Sequence, residues 1–168
     1  MAAPKVQIID PTQGSAFLMK VDRIYRALHL FEERDRLGMI ALIDFLTEHD
    51  MQIYLEGAVM RNAIRGGLAY PDIAILSVGE REKLDLLSHR LHVQANTKTP
   101  LELDIRKYHV EIDDVRGPYF NSPLNLDKKF TFTPETSATE RIHLGIPANI
   151  HLGLMCKNNF EEALQDRS

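Results

Sequence analysis

Residues 51–76, MQIYLEGAVMRNAIRGGLAYPDIAIL, hold the positions whose types and spacing could do chemistry. Asp72 is a lone carboxylate between Pro71 and the run Ile73, Ala74, Ile75, Leu76. An acid there either serves a ligand at the mouth of a strand or hydrogen-bonds its own backbone as a turn residue. Arg61 and Arg65 stand one helical turn apart, so they offer either a phosphate-binding edge or a solvated helix face. Gly57, after Glu56, ends an apolar segment and would allow close approach of a ligand to the backbone.

Other chemistries have weaker signatures. His89 and His92 are three apart, a workable metal-ligand spacing on a helix, and His109, His143 and His151 lie in strand-like segments. No Cys-x-x-Cys or His-Glu-x-x-His pattern accompanies them, so a structural zinc site is not expected. The single cysteine, Cys156, sits in GLMCKNN, and no Gly-x-Ser-x-Gly elbow occurs, which argues against nucleophilic hydrolysis.

These residues need elements to hold them. Apolar positions recur at three and four through residues 16–50 (Phe17, Leu18, Val21, Ile24, Tyr25, Leu28, then Leu37, Ile40, Ala41, Ile43, Phe45, Leu46), which predicts two helices or one kinked helix. QIYLEG reads as a strand, AVMRNAIRGG as a helix stopped by Gly66 and Gly67, and DIAILSV as a buried strand. GEREKLDLLSHRLHVQ is the next helix, with Leu84, Leu87 and Leu91 on one face. PLELDIRKYHVEID, KKFTFTP and ERIHLGI alternate as strands, and a short helix using Phe160, Ala163 and Leu164 is expected to begin near Asn159. The order predicts an α/β (α+β) fold, a mixed sheet with flanking helices, in a single domain. Its expected layout is an arm over residues 1–15, helices over 16–50, a core over 51–146, and a tail with a short helix over 147–168.

Composition limits the partners. At 168 residues and 44% hydrophobic content, the chain is long enough to fill one core. A formal net charge of -4 with 26% charged residues gives no bulk basic surface for nucleic acid. The opening MAAPKVQIIDPTQG is broken by proline and glycine and does not read as a secretion signal. With a lone cysteine and no apolar run near the roughly 20 residues a bilayer demands, a cytoplasmic chain without membrane insertion is expected.

The succession of strand, glycine, helix, glycine and acid-bearing strand resembles the nucleotidyltransferase superfamily, which includes CCA-adding enzymes and polymerase β. Leu55-Glu56-Gly57-Ala58-Val59 matches the family's glycine pair, Arg61 its helix basic residue, Gly66-Gly67 the helix exit, and Asp72-Ile73-Ala74 its acid-hydrophobic-acid strand. The resemblance implies that Gly57, Ala58, Arg61 and Arg65 bind a nucleotide. It also implies that Asp72, joined by Asp104 and with Glu56 as a substitute carboxylate, would hold Mg²⁺ and serve catalysis.

The departures lie at the metal positions. Acids at i and i+2 of a strand share a face and can both hold Mg²⁺ on a triphosphate, but the second acid here is Ala74. Glu56, in place of the first glycine, brings negative charge where phosphates would dock. The third carboxylate is either Asp104 in LELDI or is lost at His143 in ERIHLGI. The expected function is therefore a degenerate member that binds a nucleotide or a protein partner, homodimer included. The alternatives are an active enzyme moving NMP from an NTP to a hydroxyl with Mg²⁺, and an unrelated small α/β protein.

Overall fold

The computed structural model describes residues 8–9, 18–20, 33–56, 72–103, 106–116, 124–135 and 149–165. Its strands are β1 (Ile8–Ile9), β2 (Leu18–Lys20), β3 (Gln52–Glu56), β4 (Asp72–Gly79), β5 (Leu101–Leu103), β6 (Arg106–Ile112), β7 (Lys128–Pro134) and β8 (Asn149–Cys156). Three helices, α1 (Glu33–Glu48), α2 (Arg81–Thr97) and α3 (Lys157–Gln165), complete the described elements. The strands form one mixed sheet in the order β1-β2-β3-β4-β8-β7-β6-β5. The fold is mixed α+β.

The centre of the sheet is the parallel pair β4 and β8, in register from Asp72 opposite Asn149 to Gly79 opposite Cys156. Both segments read as nearly continuous apolar runs, DIAILSVG and NIHLGLMC, the pattern of strands covered on two sides. Every residue of β8 from Ile150 to Cys156 is buried, as is β4 from Ala74 to Gly79. All the other pairings are antiparallel.

Two apolar clusters sandwich the sheet. On one face Leu42, Ile43, Phe45 and Leu46 of α1 and Leu84, Leu87 and Leu91 of α2 meet Ile53, Ile75, Phe130, Phe132, Leu152 and Leu154. Full burial of such a side chain is worth about 1.5–3 kcal/mol, so this face supplies the larger driving force. On the other face Phe160 of α3 packs with Tyr54, Leu76, Val78, Leu124 and Met155. Arg90 lies over the Phe45 ring, 4.8 Å from its centroid, and ties the surfaces of α1 and α2 together.

Asp127 clasps the ends of the central pair. Its Oδ1 accepts from the Arg81 guanidinium at 2.8 Å, and its Oδ2 accepts the Cys156 backbone N–H at 2.8 Å. One carboxylate thus binds the start of α2, after β4, to the junction of β8 and α3.

Several expectations are met and several are corrected. The expected neighbours β3 and β4 are adjacent and antiparallel, with Leu55 opposite Ile75. Of the two helices or one kinked helix read over residues 16–50, Glu33–Glu48 is helical, but Leu18–Lys20 is a strand paired with β1 and β3, because sheet pairing outweighs the three-and-four spacing there. The strand read through LELDIRKYHVEID is two antiparallel strands, with Leu103 opposite Arg106. Asp104, a candidate because it carries a carboxylate, lies outside the described residues. The layout that put a tail at residues 147–168 missed β8, the inner strand that pairs with β4. The last helix begins at Lys157, two residues before the expected start.

Candidate functional site

Cross-strand partners present their side chains on the same face, so the register gathers residues far apart in sequence. In one row Asp72 lies opposite Asn149, and Thr133 opposite His109. Thr133 Oγ1 donates to Asn149 Oδ1 at 2.9 Å and joins the two pairs. In the next row Ala74 lies opposite His151, His151 opposite Thr131, and Thr131 opposite Glu111. Thr131 Oγ1 donates to Asp113 Oδ2, and His151 Nδ1 stands 3.2 Å from the same hydroxyl.

Local sequence explains why these groups share one side. In KKFTFTP the period of two puts Phe130 and Phe132 against the α1 and α2 cluster, which leaves Thr131 and Thr133 on the opposite face. In NIHL the same alternation buries Ile150 and Leu152 in that cluster and sends Asn149 and His151 the other way.

The patch is enclosed as well as polar. Thr131, His151 and Lys129 are each less than one-tenth exposed. Lys129 lies opposite Gly153, and its carbonyl accepts the Asp113 N–H at 2.9 Å. Burial pulls the Lys129 ammonium below its ordinary value, while Asp113 and Asp114 draw it back up. A cation, a carboxylate, two hydroxyls, an amide and an imidazole therefore gather along β7 and β8 on one side of the sheet. Such a set can hydrogen-bond a polar ligand.

The residues singled out in the sequence distribute unevenly. Glu56 ends β3 and Asp72 begins β4, and their antiparallel pairing puts both at the same end of the sheet. Ala74 is buried, and His151 is its parallel-strand partner. Gly57, Ala58, Arg61, Arg65, Gly66, Gly67, Asp104 and His143 lie outside the described residues. His92 packs edge-on against Phe130 at 5.3 Å, whereas His89 is exposed. Among the described residues no three His, Cys, Asp or Glu side chains form a group that could hold a metal ion. No described helix is long and apolar enough to cross a membrane.

Sequence reading passed over Asn149, Thr131, Thr133, Asp113 and Lys129, and noted His151 only as one of several strand histidines. The alternations FTFT and NIHL were the available signal for Thr131, Thr133, Asn149 and His151. Nothing local marks Asp113 as a partner of Thr131.

Comparison of the chain with protein-family models, curated proteins and solved structures finds no match. The class established is thus a mixed α+β fold with a buried polar patch beside its central parallel strands.

Proposed function

We propose that this chain is a nucleotidyltransferase-like protein that binds a nucleotide at the β3–β4 end of the sheet without assembling the pair of Mg²⁺ ions that nucleotidyl transfer uses. Support for the likeness comes from the adjacency of β3 and β4, which brings Glu56 to the sheet end where Asp72 begins its strand. The observation that carries the degenerate reading is the pairing of Ala74 with His151. A methyl group offers no ligand, and an imidazole is a poor substitute for the oxygen donors Mg²⁺ prefers.

Calorimetric titration of the full chain with ATP, GTP, CTP and UTP, each with and without Mg²⁺, tests the proposal. At least one nucleotide is expected to bind with an affinity that Mg²⁺ changes less than threefold, and Asp72→Asn is expected to weaken it. Transfer of a labelled nucleoside monophosphate to a hydroxyl acceptor would show an active enzyme instead. Failure of all four nucleotides to bind would end the proposal.

A further inference from the structure

We infer that the outward face of α2 is a self-complementary seam on which a second copy of this chain packs, helix against antiparallel helix. The inference is independent of the nucleotide reading and gives a partner to a surface which that reading leaves unused.

The seam is apolar at its middle. Glu82, Leu86, His89 and Val93 follow one another at spacings of four, three and four, so they form one stripe along α2, turned away from the buried Leu84, Leu87 and Leu91. All four are exposed. Leu86 is 61% and Val93 46% exposed, more than any other large apolar side chain among the described residues. Seven residues make about two helical turns, so the two stand in line roughly 10 Å apart.

Charge decides the partner and its direction. The charged residues beside the stripe turn to partners within the chain: Arg81 to Asp85 and Asp127, Lys83 to Asp50, and Arg90 over the Phe45 ring and toward His49. Glu82 and Lys98 make no ion pair among the described residues. They mark opposite ends of the helix, Glu82 in its first turn and Lys98 at its C-cap. Measured along the axis, Glu82 lies about 11 Å before the midpoint of Leu86 and Val93, and Lys98 about 13 Å after it. A two-fold axis through that midpoint sets Leu86 of each copy against Val93 of the other and brings each Glu82 toward the other copy's Lys98. Parallel pairing would instead put like charges together at both ends. A second copy thus supplies the matching apolar spacing and the inverse charges by symmetry alone.

The helix is only about 25 Å long, so the seam falls below the roughly 1,200 Å² of a standard interface and defines a reversible dimer.

Sedimentation equilibrium of the full chain at low salt, from about 5 µM to about 1 mM, tests the seam across the range expected of so small a contact. Dimer is expected to grow with concentration. Leu86→Ser, an exposed change, should weaken it about tenfold or more, the scale of losing a central apolar anchor. Glu82→Lys and Lys98→Glu should each weaken it, and the two together should restore it. Orientation is read by mixing Leu86→Cys and Val93→Cys chains under mild oxidation with diamide: a disulfide should form between the two variants and not within either one, because only antiparallel packing brings position 86 of one copy beside position 93 of the other. A chain that stays monomeric throughout overturns the inference. So does a dimer that ignores Leu86→Ser and both charge reversals, since it would then use another face.

Discussion

Ala74 on β4 and His151 on β8 face each other across the parallel centre of the sheet, and each is less than one-tenth exposed. A small apolar residue and an imidazole thus fill a row in which a second carboxylate would be costly without a cation. Ala74→Asp is expected to destabilise the chain by about 2 kcal/mol or more in metal-free buffer, the scale of leaving a charge buried and unpaired. Millimolar Mg²⁺ should recover part of that loss in the variant and leave the wild-type unfolding midpoint unchanged. Ala74→Asn separates charge from volume. Urea denaturation with and without Mg²⁺ provides the measurement, and equal responses of Asp and Asn variants would contradict the argument.

Asp127 makes one bond to a side chain and another to the backbone, so its loss should cost more than the loss of its ionic partner. Arg81 is about half exposed, and an ion pair at such a site is worth roughly 0–1 kcal/mol. The bond from the Cys156 N–H to Asp127 Oδ2 is part-buried, and stranding a buried donor costs about 1–3 kcal/mol. Asp127→Ala is therefore expected to lower the urea midpoint clearly more than Arg81→Ala. The opposite order would mean that the guanidinium, not the β8–α3 junction, is what this carboxylate holds.

Gly79, the last residue of β4, has no room for a side chain. A Cβ there would lie 2.6 Å from Met51 Cε and 2.7 Å from Met51 Sδ. The obstacle is the flexible end of a thioether, so Gly79→Ala should cost about 1–3 kcal/mol while Met51 moves aside. In a double-mutant cycle the pair Gly79→Ala with Met51→Ala is expected to cost less than the sum of the single changes. Strict additivity would show that the backbone, rather than Met51, resists the methyl.

His92 makes stability depend on pH. Burial lowers its pKa below 6.5, with smaller contributions in the same direction from Lys128 and His89. A depressed histidine binds its proton more weakly in the folded chain than in the unfolded one. Its contribution is therefore fully present above the unfolded value of 6.5, and is lost as pH falls from there through the lower folded value. His92→Gln is expected to flatten the decline of the urea midpoint between neutral and mildly acidic pH. Equal slopes in wild type and variant would assign the decline to other groups.

The sequence by itself determined much that is local. The apolar run of DIAILSVG marks a strand buried on two sides, and the leucines of α2 fix which of its faces turns inward. FTFT already assigned Phe130 and Phe132 to one side of β7 and Thr131 and Thr133 to the other, since a strand's period of two needs no neighbour to define its faces. Only the tertiary structure decided which strand lies beside which. The chain offered LELDI and RIHLGI as companions for the Asp72 strand, yet β8 occupies that place, because a segment buried from Ile150 to Cys156 belongs at the sheet's centre. With β8 came His151 opposite Ala74, and with the β6–β7 pairing came Asp113 beside Thr131. Strand faces are written in neighbouring residues, whereas register is set by burial and hydrogen bonding between segments that meet only when the sheet forms.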